Sequence, residues 1–132
     1  MNLAVDVHSG QPIFEQIAFA VKEAVARGEL SAGAQLPSVR ELAQDLAVNP
    51  NTVVRAYEVL TRDGVVVRRQ GAGCFVTGRT SALSGKHRRR QLQDLVGRAV
   101  TEAFHLGFGA NDVREAVEQA LSGVRFEGRR QP

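Results

Sequence analysis

The chain has 132 residues, 43% of them hydrophobic, which fits one domain, or one small domain with an appendage, around a modest core. Its formal charge of +3 is unevenly spread: residues 1–78 carry seven Lys/Arg against eight Asp/Glu, while Arg79, Lys86, Arg88, Arg89 and Arg90 meet no acid between 79 and 90. A single cysteine, Cys74, excludes a disulfide framework and a cysteine-built zinc site, and net charge alone is weak support for a nucleic-acid partner.

A helical pattern opens at Gln11-Pro12-Ile13, where proline is tolerated because a first-turn N–H has no helical partner to lose. Ile13, Ile17, Val21, Ala24 and Val25 share one face, Phe14 broadens it, and the pattern stops near Arg27-Gly28. Glu29 to Pro37 is a connector in which Leu30 and Leu36 are candidate core plugs. Ser38-Val39-Arg40-Glu41 has the form of a capping box, followed by a short helix with Val39, Leu42, Ala43 and Leu46 inward. Ala47-Val48 makes the turn. Asn49-Pro50 then starts a second helix, with asparagine as cap and proline in the first position. Val53, Ala56, Tyr57 and Leu60 form its apolar stripe, and Asp63-Gly64 ends it.

Val65-Val66-Val67 is a β-branched run, Arg68 to Gly73 reads as a glycine-rich turn, and Cys74 to Thr77 reads as a second strand. Glycines at 71 and 73 suit positive φ or close approach to another surface. Gly78 to Gly85 has linker composition, and Lys86 to Arg90 is a charge run. Leu92, Leu95, Val96, Ala99, Val100, Ala103 and Phe104 then form a helical apolar stripe. Gly107-Phe108-Gly109 breaks it. Asn111 or Asp112 caps a last helix with Val113, Ala116, Val117, Ala120 and Leu121 inward.

The expected fold is mainly α with a small β-hairpin wing: a winged helix-turn-helix plus a C-terminal helical dimerisation segment. The expected divisions are a DNA-binding domain over 10–78, a basic linker over 79–90, a two-helix dimerisation segment over 91–122 and a disordered tail over 123–132. No apolar run reaches bilayer length, and Met1 to Gly10 lacks the features of a secretory signal, so a cytoplasmic protein without membrane association is expected. His8, His87 and His105 are too far apart for metal-ligand spacing, so no metal is expected.

In a helix-turn-helix the second helix enters the major groove with its first residues at base edges. Here those residues are Asn51, Thr52 and Arg55, left on the exposed side when Val53 points inward. Asparagine pairs bidentately with adenine, threonine contacts a base or a phosphate, and arginine forks onto guanine or phosphate. Arg40, in the first turn of the preceding helix, is placed to grip backbone. Arg68 and Arg69 sit near a hairpin tip that suits a minor groove or phosphate strand. A domain neutral in sum can thus present positive charge on one face.

Residues 10–78 resemble the GntR family of regulators. Leu36-Pro37-Ser38-Val39-Arg40-Glu41-Leu42-Ala43 is similar to the family's stretch at the second helix. Val48-Asn49-Pro50-Asn51-Thr52-Val53-Val54-Arg55-Ala56-Tyr57 is similar to its recognition helix, and Gly71-Ala72-Gly73-Cys74-Phe75-Val76 to its wing. The Asn-Pro-Asn-Thr-Val form and short tail look most like the YtrA subfamily, described as dimeric repressors, often of transporter genes. The resemblance implies DNA contacts at Ser38, Arg40, Asn51, Thr52 and the wing glycines Gly71 and Gly73. One departure is that many relatives carry arginine where this chain has Val54, with Arg55 one place later. The recognition helix also resembles the MocR group, whose pyridoxal phosphate domain has no room after Gly78, where Lys86 is the only lysine. No cofactor is expected.

Two helices do not by themselves enclose a ligand pocket of about 300 Å³, which leaves a pocket between two subunits open to an effector of unknown kind. The 92–104 stripe is best used against a partner helix in a twofold homodimer, which predicts an inverted-repeat operator in double-stranded DNA. The alternative is that this helix folds back on its own winged domain. The Lys86–Arg90 run has three readings: phosphate contact, a solvated helix start, or an acidic partner. Cys74 is a redox sensor or small packing. The competing function is a winged helix used only for protein contact. An enzyme is not supported, since no paired carboxylates, nucleophile elbow or Ser/His/Asp set is apparent.

Overall fold

A computed structural model describes residues 3–78 and 85–126. The expectations for 79–84 and 127–132 fall outside the described residues. Among the described residues seven elements follow in order: α1 (Ile13–Ala26), α2 (Val39–Leu46), α3 (Pro50–Arg62), β1 (Val66–Arg69), β2 (Gly73–Val76), α4 (Gly85–His105) and α5 (Ala110–Ser122). The chain is mainly helical with one antiparallel hairpin, as the sequence patterns require. It divides into two compact units at Thr80/Ser81.

The first unit is built on the crossing of α1, α2 and α3. Ile17 and Val21 of α1 and Val53, Ala56 and Leu60 of α3 are completely buried, and Val66 of β1 and Val76 of β2 close the core from the hairpin side. A fully buried Val, Leu or Ile contributes roughly 1.5–3 kcal/mol, so these few positions account for much of what holds the unit together. Leu36 is buried and Leu30 packs against the core, as expected of the connector. Leu3 and Val5 also pack against it, so the winged unit begins earlier than residue 10. The side chain of Gln16 anchors that segment: Nε2 donates to the Asp6 carbonyl at 2.9 Å and Oε1 accepts from the Asp6 N–H at 2.8 Å.

Two local expectations change. Arg68 and Arg69 belong to β1 rather than to a turn, paired with Cys74 and Gly73, and the turn is confined to Gln70–Ala72. Strand pairing uses backbone groups, so two polar side chains do not prevent it. The 29–37 connector also does more than plug the core. Gly33 N–H donates to the Val76 carbonyl, Val76 N–H to Ala34 and Leu36 N–H to Cys74, at 2.8–2.9 Å, with Gln35 bridged to Phe75. The connector thus covers the outer edge of β2.

The second unit contains α4 and α5. The basic residues Lys86 to Arg90 lie within α4 instead of in a linker, because Lys, Arg and Gln are good helix formers and no breaker separates them from Leu92. The last helix is capped from Asp112, whose Oδ2 accepts from the Gly109 N–H at 3.1 Å, while Asn111 Oδ1 accepts from Arg114. The inward face expected of α5 is not inward: neither α4 nor α5 has a buried residue, and Val117 and Leu121 are exposed. Two helices with few neighbours leave an apolar stripe uncovered.

Candidate nucleic-acid interface

The start of α3 is fixed by local hydrogen bonds. Asn49 Oδ1 accepts from the Asn51 N–H at 2.8 Å, and the Asn49 carbonyl accepts from the Thr52 N–H at 2.9 Å. Pro50 occupies the first helical position, where its missing donor costs nothing. With Val53, Ala56, Tyr57 and Leu60 buried, Asn51, Arg55 and Glu58 are left exposed, and Thr52 and Val54 lie half-buried on the flanks. The sequence pattern placed Asn51, Thr52 and Arg55 together. The structure keeps Asn51 and Arg55 on the outer face and turns Thr52 partly aside.

Helix α2 opens with the expected capping box. Ser38 Oγ accepts from the Glu41 N–H at 3.1 Å, and Glu41 Oε1 accepts from the Ser38 N–H at 3.3 Å. Ser38 and Arg40 are exposed. Ala47 adopts the left-handed conformation at φ 56° and redirects the chain into α3. Tyr57, read from the sequence only as part of an apolar stripe, also donates its hydroxyl to the Pro37 carbonyl at 2.7 Å. That bond ties α3 to the residue preceding the Ser38 cap. Burial pushes the phenol far above its ordinary value, with Cys74 and Glu41 adding in the same direction, so it remains a donor.

On the hairpin, Gly71 and Gly73 take φ of 77° and 115°, conformations that L side chains resist. At Gly73 a Cβ would also meet Gln35 Nε2 at 2.9 Å. Gln35 in turn donates to the Ala72 carbonyl at 2.7 Å and so holds the wing tip. Sequence reasoning passed over Gln35, because nothing local marks a side chain that reaches 37 residues onward. Between α3, the start of α2 and the hairpin runs an open groove of about 930 Å³, lined by Ser38, Glu41, Val54, Glu58, Arg68 and Gly73 among others. Cys74 is half-buried in its wall.

The cations of the winged unit fall into two classes. Lys22 and Arg62 both meet Asp63, at 2.9 and 3.3 Å, and Arg27 meets Glu23 at 3.5 Å. Asp63 is driven upward by partial burial, but the hydrogen bonds and charges of Lys22 and Arg62 outweigh this and hold it below the ordinary aspartate value. Arg40, Arg55, Arg68 and Arg69 meet no carboxylate at ion-pair distance among the described residues. Two of these stack on rings: the Arg55 guanidinium lies 4.0 Å from the Phe14 centroid and that of Arg69 lies 4.9 Å from Phe75. Glu23 and Asp63 thus take up Arg27, Lys22 and Arg62, while Arg40, Arg55, Arg68 and Arg69 stay available among the described residues. Among the described residues no group of three or more His, Cys, Asp or Glu is placed to hold a metal, and no helix is long and apolar enough to cross a membrane.

Comparison with known proteins agrees with this architecture. Residues 13–76 match the family described as bacterial regulatory proteins, gntR family. The HTH-type transcriptional repressor YtrA of Bacillus subtilis is 30% identical over 93% of this chain and 95% of its own length. A transcriptional antiterminator from Listeria monocytogenes superposes with a TM-score of 0.79 at 29% identity, covering 91% of this chain and 90% of that one. YtrA from Sulfolobus acidocaldarius, a GntR-family transcription factor, superposes at 0.62 with 36% identity, covering 75% of this chain and 97% of its own. The likeness extends beyond the winged helix into the short tail, and the chain belongs to the GntR family of DNA-binding transcription regulators, which are not enzymes.

Proposed function

We propose that this protein is a dimeric repressor that occupies an inverted-repeat operator in the cytoplasm. The observation that carries the reading is that Arg40, Arg55, Arg68 and Arg69, on the helix-turn-helix and hairpin, have no carboxylate partner among the described residues. Asn51, Thr52 and Arg55 read base edges or phosphates from the start of α3. Ser38 and Arg40 hold the backbone, and the hairpin carries Arg68 and Arg69, with Gly71 and Gly73 letting its tip approach a groove or phosphate strand. The resemblance to YtrA supports repression and points to transporter genes as targets.

The dimer forms through the α4 stripe of Leu92, Leu95, Val96, Ala99, Val100, Ala103 and Phe104. Most of these are exposed in the single chain, Leu95 at 69% and Phe104 at 72%, and a second copy is the surface that covers them with the symmetry an inverted repeat needs. The boundaries follow: a winged domain to residue 78, and a dimerisation segment through 122. An effector acts by changing the geometry of that dimer.

Lys86, Arg88, Arg89 and Arg90 lie exposed in the first two turns of α4 with no described carboxylate partner and no acid in the first turn. Cations there oppose the helix dipole, and phosphates flanking the half-site compensate them.

The test is fluorescence anisotropy with the protein's own upstream DNA across a salt series, beside a scrambled duplex and the Asn51→Ala/Arg55→Ala variant. Preferential binding of the native duplex, lost in the variant, supports recognition by α3, and the salt slope counts phosphate contacts. Equal binding in every combination, without salt dependence, indicates instead a winged helix used for protein contact.

A further inference from the structure

Arg55 and Val54 leave α3 in different directions. Val54 lines the groove on the hairpin side, whereas the Arg55 guanidinium rests 4.0 Å from the centroid of Phe14, on α1. Phe14 is half-buried and packs against the core, so its ring is a firm platform. Arg55 is exposed, and its side chain makes no hydrogen bond or ion pair among the described residues. One face of the guanidinium is thus covered by the ring, and its N–H edge is left for another molecule. A planar guanidinium suits this division, because it stacks through its face and donates through its rim.

We propose that Phe14 is a positioning residue for DNA readout: it holds the Arg55 fork on the α1 side of the recognition helix before DNA arrives. This rests on the reading of α3 as the recognition helix. A seated arginine loses less freedom when it forms its fork, and the attraction between cation and ring keeps the fork out of the groove lined by Val54. Phe14 touches no nucleotide in this scheme. It sets where the arginine can reach, and therefore which base pair is discriminated.

The probe is the duplex that the full wild-type chain enriches from a random-sequence pool. Its affinity is measured for wild type, Phe14→Leu, Phe14→Tyr, Arg55→Gln, Asn51→Ala and the Phe14→Leu/Arg55→Gln double variant, with thermal unfolding recorded for each. Phe14→Leu is expected to weaken binding about two- to fivefold, the range of an exposed cation–π contact, and to leave affinity for a scrambled duplex unchanged. Phe14→Tyr keeps a π face and is expected to retain wild-type affinity. In the Arg55→Gln background, Phe14→Leu is expected to have no further effect. In the DNA-free protein the Arg55 Nε–H proton resonance is shifted by the ring current, and Phe14→Leu abolishes that shift. Losses that multiply in the double variant overturn the proposal, as does a Phe14→Leu variant with wild-type affinity. If Arg55→Gln binds like wild type while Asn51→Ala does not, the seat fails and α3 remains the reader. If no duplex is enriched at all, the recognition reading itself fails and the seat with it.

Discussion

The winged unit and the helical tail solve the problem of apolar surface in opposite ways. Residues 3–78 close around a core in which Ile17, Val21, Val53 and Leu60 are fully buried. Residues 85–126 bury no side chain and leave Leu95, Val96, Val100 and Phe104 exposed. The difference lies in geometry more than in residue type. Three helices and a hairpin surround a common interior, but a 21-residue helix followed by a 13-residue helix has no interior to share. The first unit can be stable within one chain. The second is a surface whose stability depends on what covers it.

The sharpest break of that contrast is Leu95→Asp with Val100→Asp. In a twofold dimer both chains bring carboxylates into a closed apolar seam, so association is expected to weaken by on the order of a thousandfold or more. Sedimentation equilibrium reads the change, while the unfolding of the winged unit stays in place. A mutant that remains dimeric shows that the stripe serves another purpose.

The next effect concerns the unit that has a core. Leu60 is fully buried, and Leu60→Ala removes its contacts and leaves a cavity, at a cost of about 2–5 kcal/mol. Circular-dichroism unfolding is expected to show the loss equally with the α4 stripe intact and in the Leu95→Asp/Val100→Asp background. Loss in only one of them means that the two units do not store stability separately.

A smaller effect follows from the capping box. Ser38→Ala removes the acceptor of the Glu41 N–H and is expected to cost about 1 kcal/mol, measured by denaturant unfolding. Because Tyr57 holds the neighbouring Pro37 carbonyl, α3 should keep its place, and amide exchange should rise chiefly at the start of α2.

The smallest effect is electrostatic. Asp63 is held below its ordinary value by Lys22 and Arg62, so the folded state favours the carboxylate. Its contribution is fully present above the unfolded value of about 3.9 and is lost as pH falls through the lower folded value. The Asp63→Asn variant is expected to be less stable than wild type at neutral pH by no more than about 1 kcal/mol, given how exposed the pair is. The gap should close as pH falls below the ordinary aspartate value and through the lower folded one. A gap that is unchanged at low pH assigns the effect to packing.

What the amino-acid order determined by itself was whatever closes within a few residues. The Ser38–Glu41 box, the Asn49-Pro50 start and the helical stripes of α1, α3 and α4 are hydrogen bonds or periodicities spanning one or two turns, legible because their partners are neighbours in the chain. The candidate contact residues Asn51, Arg55, Arg68 and Arg69 were legible for the same reason. Tertiary structure decided the rest. The connector pairs with β2, Gln35 holds the wing tip, Tyr57 reaches Pro37, and Phe14 seats Arg55 across 41 residues. The Lys22–Asp63 ion pair likewise formed only when α1 met the end of α3. The α5 face that sequence periodicity marked as inward faces solvent in the single chain, because a period states which residues lie together and only a neighbouring surface makes them interior.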